Sequence, residues 1–311
     1  MKKLLALLMA VLMVLSLSAC SNKPAETETA NTPDTVEVPA ISVVESTVAS
    51  TTRDGVQIPA YVTLPASLEG VDSLVVLIHG HHGNHNEWGG YDTVSNTLAE
   101  NGIVAVTLDF AGCGASNEDY TNNAMSYMCA DVKDVVESVK AGYGLTKVGA
   151  MGYSMGGRII SQILIEDMLH LDSVVFVAPA TSLADMVEMF NGQEYYDNMK
   201  AEVEKTGEMF PFPGAFGEQL LSATFFNDLE KYGEDMAELA AAKYEGNSLT
   251  IYSTDDYIVS PSVSAKTAEA FGSQVVTVSN GGHSYSFYSE DQVVRNSLNA
   301  AISTFFIEDL K

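Results

Sequence analysis

The sequence feature that most constrains the fold lies near the middle of the chain, where an apolar run breaks into Gly-Tyr-Ser-Met-Gly at residues 152–156. The residues before this pentapeptide are apolar like a buried strand, and those after it have helical spacing. A serine at such a turn has a strained backbone that exposes its hydroxyl, and only small neighbours such as Gly152 and Gly156 fit beside it. The pattern therefore predicts Ser154 as a nucleophile. Because a chain with 24 glycines also produces this pattern by chance, the hypothesis needs a base, an acid and an oxyanion loop elsewhere.

Strand and helix patterns alternate along most of the chain. Strands are predicted at residues 41–48, 56–64, 73–78, 103–108, 147–152, 173–177, 249–252 and 274–278. Helices are predicted at residues 124–140, 155–169 and 291–306. An Asp-Gly turn between the first two strands favours an antiparallel start. The later alternation predicts an α/β fold with a mainly parallel, doubly wound sheet and a ligand site at the carboxyl ends of its strands.

Residues 181–247 interrupt this alternation. They contain helical patches and the breaker-rich Met-Phe-Pro-Phe-Pro-Gly at residues 209–214, but no clear strand. We interpret them as a helical cap that is inserted after a strand, within a domain that spans residues 41–311.

The amino terminus has the pattern of an export signal. A basic start, Met-Lys-Lys, precedes an apolar stretch, and Leu-Ser-Ala-Cys follows at residues 17–20. This pattern resembles a bacterial lipoprotein signal, so we expect residues 1–19 to be removed and Cys20 to be lipidated. A plain signal peptide and an uncut anchor are the alternatives, although the apolar stretch is shorter than the ~20 residues of a membrane span. Residues 20–40, rich in Thr, Pro and acids, are predicted to be a flexible tether. These features predict an exported protein that its lipid anchors to the cell membrane.

The charge balance limits the partners of this chain. Asp and Glu outnumber Lys and Arg by 41 to 15, which gives a net charge of −26. Such an acidic chain repels nucleic acids and anionic lipid surfaces. We therefore expect no nucleic-acid partner, and we attribute membrane attachment to the lipid. The sequence leaves the oligomeric state open.

The histidines and cysteines do not follow a metal-site pattern. Four of the six histidines lie in one loop, namely His79, His81, His82 and His85. Their spacing matches no familiar zinc motif, and the loop has a simpler role as a source of backbone donors, so we expect no metal site. Cys113 and Cys129 remain once Cys20 is lipidated. An exported pair can form a disulfide, but the sequence leaves their bonding open.

A glycine-rich loop follows the predicted strand at residues 73–78 and reads His-Gly-His-His-Gly. Such a loop can aim a backbone N–H at a developing oxyanion, and a second N–H belongs to the residue after the nucleophile. We therefore predict the backbone N–H groups of His81 and Met155 as an oxyanion hole.

Candidates for the acid and the base follow the last two predicted strands. Asp255 and Asp256 come after the strand at residues 249–252, and either carboxylate suits the acid. His283 follows the strand at residues 274–278 in Asn-Gly-Gly-His, and it is the only histidine beyond the acid. Nucleophile, acid and base would then meet at the carboxyl ends of the strands.

Together these motifs resemble the α/β-hydrolase superfamily, in which the triad has the same chain order of serine, acid and histidine. Within it the chain is most similar to the cinnamoyl and feruloyl esterases and to their serine-aminopeptidase-like relatives. The resemblance covers about residues 55–308. It rests on the motifs at residues 79–84, 109–116, 152–157, 225–232 and 256–259, and on His283.

The resemblance implies an acid, a mechanism and a substrate class. The acid loop of these families usually reads Gly-x-x-Asp-x-x-Val, which selects Asp256, although Ser253 stands where that glycine is usual. Ser154 would attack an ester carbonyl while His283 takes its proton and Asp256 orients the imidazole. The expected substrate is a small-molecule ester, and this chemistry needs no cofactor.

Three classes of function remain open from the sequence. The first is a hydrolase of carboxylic esters, including cinnamoyl or feruloyl esters if the aromatic cap residues line an acyl pocket instead of only packing onto the body. The second is an aminopeptidase or amidase with the same triad, in which Asp185, Glu188 and Glu194 of the cap would hold a free amino terminus. The third is a surface lipoprotein that keeps the fold and binds a ligand without turnover. The acyl and alcohol groups of the substrate are not readable from the sequence.

Overall fold

The computed structural model describes residues 40–214, 217–285, 287 and 292–311. The strands in these ranges are β1 (Ser42–Ala49), β2 (Gln57–Leu64), β3 (Ser73–Ile78), β4 (Val104–Leu108), β5 (Lys147–Tyr153), β6 (Ser173–Val177), β7 (Phe210–Gly214), β8 (Gly217–Leu221), β9 (Asn247–Ser253) and β10 (Gln274–Val278). The α-helices are α1 (Gly90–Glu100), α2 (Met125–Tyr143), α3 (Met155–Ile165), α4 (Leu183–Met189), α5 (Gln193–Thr206), α6 (Ala223–Glu230), α7 (Met236–Ala241), α8 (Pro261–Phe271) and α9 (Val293–Leu310). Short 3-10 helices lie at Tyr120–Asn122 and Gly233–Asp235.

Eight of these strands form one sheet in the order β1-β2-β4-β3-β5-β6-β9-β10. β2 is antiparallel to both β1 and β4, and every other neighbouring pair is parallel. The predicted α/β fold, with an antiparallel start and a mainly parallel sheet, is confirmed. Because parallel strands end at the same edge of a sheet, the loops after β3, β5, β9 and β10 meet there.

The apolar core lies on both faces of the sheet. All six residues of β3 are buried, with Leu74 and Val76 in the cluster on one face and Val75 and Leu77 in the cluster on the other. Helices α2 and α3 contribute to the first cluster, and α1 and α9 contribute to the second. This two-sided burial explains why β3 is continuously apolar instead of alternating. In the described ranges, no helix is both long and apolar enough to cross a membrane.

The segment between β6 and β9 contains a hairpin, β7–β8, in addition to helices. The expectation of no strand between residues 181 and 247 is therefore wrong. Pro211 and Pro213 in β7 disfavoured a strand there, because proline lacks the N–H that a central strand needs. Both strands of an isolated hairpin are edge strands, which tolerate proline.

Helices α4, α5 and α6 and strand β8 have an apolar core of their own. Its buried members include Met186, Phe190, Tyr196, Phe225 and Phe226. Helix α7 instead packs against α3 and α8. The cap over the sheet edge therefore consists of α4, α5, the hairpin and α6, and α7 returns the chain to the body.

Candidate active site

The predicted nucleophile lies at a sharp turn between β5 and α3. Ser154 has φ 53° and ψ −112°, a conformation that costs a non-glycine residue roughly 1–3 kcal/mol. A Cβ atom at Gly152 would collide with the backbone of Gly156, and one at Gly156 would collide with the carbonyl of Ile78. Both glycines are therefore needed for the turn to pack against β3, as the sequence pattern predicted.

The structure brings Ser154, His283 and Asp256 into one hydrogen-bonded chain. The Nε2 atom of His283 lies 3.0 Å from Ser154 Oγ, and its Nδ1 atom lies 2.9 Å from Asp256 Oδ2. The Asp256 carboxylate has no solvent exposure and also accepts hydrogen bonds from the backbone N–H groups of Ile258 and Val259. With the Nδ1 proton directed at Asp256, Nε2 is free to accept the proton of the serine hydroxyl.

Asp255, the other candidate acid, points away from this chain of hydrogen bonds. Its exposed carboxylate accepts hydrogen bonds from the Ser253 hydroxyl and, at 3.4 Å, from the Gly282 N–H. The hydrogen bond from Ser253 lowers the pKa of Asp255. Ser253 also accepts from the Gly281 N–H at 3.2 Å, so it joins the loop of the acid to the loop of the base. The serine that replaces the usual glycine thus has a structural partner.

The loop after β3 is held from beneath by two buried side chains. His79 donates from Nδ1 to the Gly80 carbonyl at 2.8 Å and accepts at Nε2 from the Phe110 N–H at 3.3 Å. Burial lowers the pKa of His79 to about 4, which keeps its ring neutral, as this pairing requires. The Glu87 carboxylate accepts from the Gly80 N–H at 2.6 Å. The Gly80 amide is thus occupied, and the next amide in the loop is that of His81.

The two predicted oxyanion donors lie beside the nucleophile. Met155 is the first residue of α3, where a backbone N–H has no carbonyl partner within the helix. His81, Ser154 and Met155 line the same cavity. This placement is compatible with an oxyanion hole formed by two backbone N–H groups.

A contact that the sequence did not reveal connects the cap to this loop. The His81 ring is 2.8 Å from Gln219 Oε1 of β8 and 3.4 Å from the Tyr120 hydroxyl, both through Nε2. Gln219 is buried, and burial lowers the pKa of His81 to about 4, so the ring donates as a neutral imidazole. No local pattern could have identified Gln219, because 138 residues separate the two partners.

The chain resembles known proteins in part of its sequence and in its fold. The family model for serine aminopeptidase, S33, matches residues 70–211. Est1E from Butyrivibrio proteoclasticus, solved with ferulic acid bound, superposes with a TM-score of 0.68 at 19% identity, over 85% of this chain and 99% of its own. A soluble variant of monoglyceride lipase from Saccharomyces cerevisiae, in complex with a substrate analog, superposes with a TM-score of 0.66 at 15% identity. The match covers 89% of this chain and 98% of the lipase chain. The esterase domain of a Rhodothermus marinus protein superposes with a TM-score of 0.61 at 14% identity. The match covers 87% of this chain and 100% of that domain.

The chain has the α/β-hydrolase fold. The resemblance seen in its sequence is thereby confirmed at the level of the fold, and the match of residues 70–211 to the family model supports the superfamily. No curated protein sequence matches this chain.

The cavity beside Ser154 extends beneath the cap. Its lining is mostly apolar and comprises His81, Met125, Ser154, Met155, Arg158, Ala180, Met186, Met189, Phe190, Phe225 and Leu229. The aromatic cap residues thus have two roles, since Phe190 and Phe225 belong both to this lining and to the cap core. Arg158 was not singled out from the sequence, because its burial depends on the cap.

The remaining predicted sites have different outcomes. Cys20 lies outside the described residues. Cys113 and Cys129 are both buried and free, and burial raises the pKa of both thiols, to about 12 for Cys113. Within the part of the chain that the structure describes, no group of three or more His, Cys, Asp or Glu side chains is placed to hold a metal ion. His85 of the histidine-rich loop instead contacts the Asp109 carboxylate.

Proposed function

We propose that this α/β-hydrolase is a serine esterase that cleaves carboxylic esters through an acyl-enzyme. The observation that carries the proposal is the chain of hydrogen bonds from Ser154 Oγ through His283 to the buried Asp256. His283 would remove the serine proton as Ser154 attacks the ester carbonyl, and it would then protonate the departing alcohol. Asp256 would hold the ring in the required tautomer and stabilise its protonated form. Water would repeat the sequence on the acyl-enzyme.

The negative charge that develops on the carbonyl oxygen would be held by the amides of His81 and Met155. Each donor of this kind stabilises the transition state by roughly 3–4 kcal/mol. The Glu87 carboxylate, which accepts from the Gly80 N–H, supports the loop that would present the first donor.

For the acyl group we propose a cinnamoyl or feruloyl type as one candidate. Phe190 and Phe225 in the cavity lining favour it. Est1E, which has a similar fold, was solved with ferulic acid bound.

The second candidate is an aminopeptidase or amidase that uses the same three residues. The matching family model is that of a serine aminopeptidase, and an acidic cleft with Asp185 and Glu188 lies next to Asp256. The negative charge of these carboxylates would attract the protonated amine of a peptide substrate. Glu194, which the sequence also suggested as a partner of an amino terminus, does not line this cleft.

Hydrolysis of a small panel by the purified protein and by Ser154→Ala tests these proposals. The panel consists of p-nitrophenyl acetate, p-nitrophenyl butyrate, methyl ferulate and an aminoacyl p-nitroanilide. An esterase would turn over the nitrophenyl esters and lose at least about 10⁴-fold in kcat with Ser154→Ala. A preference for methyl ferulate would support the feruloyl candidate, and turnover of the anilide would favour the peptidase. Equal rates for the parent and Ser154→Ala would exclude both and leave a binding protein as the third possibility.

We also propose that lipid on Cys20 anchors the protein to the outer face of the cell membrane. The basic start, the short apolar stretch and the small residues before Cys20 support this proposal. Recovery of the protein in a detergent phase, and its loss from that phase in Cys20→Ser, is the expected outcome.

A further inference from the structure

Helix α3 carries a buried cation that the proposed reaction does not use. Arg158 is 1% exposed. Its Nη1 atom donates to the Ala180 carbonyl at 3.0 Å and its Nη2 atom donates to the Leu229 carbonyl at 2.5 Å. These two carbonyls belong to the chain as it enters the cap and as it leaves it. Part of the guanidinium is therefore used to hold the cap.

The charge of Arg158 is not neutralised by an adjacent carboxylate. Among the described residues Arg158 forms no ion pair, and its Nε–H is buried without a hydrogen-bond partner. Burial lowers the pKa of Arg158 to about 10, while Glu234 favours the charged form from a longer distance. The side chain is therefore still protonated near neutral pH. An unpaired buried charge costs desolvation free energy. Binding of an anion next to Arg158 would therefore be strongly favoured.

Arg158 lines the same cavity as Ser154. Its neighbours there are chiefly Met and Phe side chains, and the ring of His81 is neutral. Among the described residues of the lining, Arg158 carries the only full charge. It lies four residues after Ser154, the N-cap residue of α3, so the backbone positions of the two residues are about one helical turn, or about 6 Å, apart along the helix axis. Both side chains line the one cavity, so an acyl group attached to Ser154 would occupy the space beside Arg158.

We propose that the cavity binds an acyl group whose far end is a carboxylate held by Arg158, so that preferred substrates are hemiesters of short dicarboxylic acids. This inference rests on the proposed esterase function and specifies its substrate class, as an alternative to the cinnamoyl or feruloyl candidate, whose acyl group would occupy the same cavity. The methylene groups would pack on the Met and Phe side chains, while the carboxylate would accept the Nε–H and pair with the guanidinium. Charge-assisted hydrogen bonds of this kind change affinity by roughly ten- to a hundredfold.

The test compares two methyl esters of matched shape. Methyl hydrogen succinate ends in a carboxylate, and methyl 4-methylpentanoate ends in an uncharged branched group of similar size. Release of methanol gives kcat/KM for each ester, and the readout is the ratio of the two values. We expect the parent to favour the succinate ester by about tenfold or more. Arg158→Met should remove this preference, and Arg158→Lys should retain part of it.

A matched control uses another residue of the same cavity. Met186→Leu alters the apolar lining without changing its charge, so the ratio should stay close to that of the parent. A parent ratio near one, or a ratio that Arg158→Met leaves unchanged, would overturn the proposal. A purely structural role of Arg158 would lower turnover of both esters in proportion.

Equilibrium binding covers the case in which Arg158→Met does not fold or no ester is turned over. Calorimetry with Ser154→Ala, whose arginine is intact, should show at least about tenfold tighter binding of methyl hydrogen succinate than of methyl 4-methylpentanoate. Equal binding of both esters contradicts the substrate class. Failure of the esterase proposal has a different signature, namely the absence of any turnover that depends on Ser154.

Discussion

Two adjacent carboxylates after β9 have different surroundings, and this difference decides their roles. Asp256 is buried and contacts His283 through both oxygens, at 2.9 and 3.1 Å. Asp255 is exposed and bonds to Ser253 and to the loop of the base. Only Asp256 can therefore set the tautomer of the histidine.

We predict that Asp256→Asn lowers kcat on p-nitrophenyl acetate by about 10⁴-fold, because an amide no longer stabilises the imidazolium. Asp255→Asn keeps the size of the side chain and should reduce kcat by less than about tenfold. Steady-state kinetics of both variants, with circular dichroism to verify folding, would measure this difference. Loss of activity in Asp255→Asn alone would reverse the assignment.

At this scale the sequence predicted residues that belong to local motifs. Ser154 directly follows β5, His283 lies five residues after the end of β10, and both are close to glycines, so both were identified. From the residues alone, Asp255 and Asp256 were equivalent, and family resemblance was needed to choose. Arg158 and Gln219 were missed because burial and distant contacts, not neighbouring residues, determine their roles.

The hairpin β7–β8 of the cap contacts the loop of His81, whose backbone N–H is the first proposed oxyanion donor. Gln219 on β8 accepts a hydrogen bond from the neutral ring of His81 at 2.8 Å. Because His81 also lines the cavity beside Ser154, the position of the hairpin affects the shape of the reaction site.

Replacing Gln219 should therefore change catalysis even with a small ester that makes little use of the cap. We predict that Gln219→Leu, which removes the acceptor, lowers kcat on p-nitrophenyl acetate by roughly tenfold, from loss of one buried hydrogen bond. Gln219→Glu keeps an acceptor and should retain activity at pH 8.

The pH profile distinguishes this role from simple packing. In Gln219→Glu the new carboxylate favours the protonated ring, so the pKa of His81 should rise above its value of about 4. The NMR titration profile of the His81 ring in this variant should then lie at higher pH than in the parent. Full activity in Gln219→Leu, with an unchanged profile in Gln219→Glu, would exclude a positioning role.

The elements of the sheet were more predictable than those stabilised mainly by packing. β3, β6 and β10 were predicted with their observed bounds, and β3 and β6 are continuously apolar after their first residue because both strands are fully buried. Helix α1 was not predicted, although Tyr91, Val94 and Leu98 face the core. An isolated helix of 11 residues is marginal in water, and α1 gains stability from packing on α9 and β4.

For the molecule as a whole, a buried charge cluster ties the first hairpin to the body. Arg53, between β1 and β2, pairs with Glu118 and with Asp131 of α2 at 2.7 Å each. All three side chains are nearly inaccessible to water. Burial raises the pKa of Asp131 to about 7, against the opposing effect of Arg53.

We predict that Arg53→Met lowers the free energy of unfolding by about 3–5 kcal/mol at pH 8, because two carboxylates then stay buried without their cation. The raised pKa of Asp131 makes its protonated form stable in the fold, so the deficit should shrink as pH falls from 8 to 5. Urea titrations at both pH values would measure this change.

Lys140→Met provides the control for this stability measurement. Lys140 forms an exposed pair with Glu137 at 3.3 Å, and such pairs contribute less than about 1 kcal/mol. Equal destabilisation by the two variants, or a deficit of Arg53→Met that grows at pH 5, would contradict the account of the buried cluster.

The most direct test of the central claim is covalent labelling of the purified protein with a fluorophosphonate, followed by mass spectrometry of its peptides. A serine activated by His283 and Asp256 should form one adduct, on Ser154, and the adduct should be absent from Ser154→Ala and form far more slowly in His283→Gln. The absence of an adduct on Ser154, in a protein that is folded, would contradict the account.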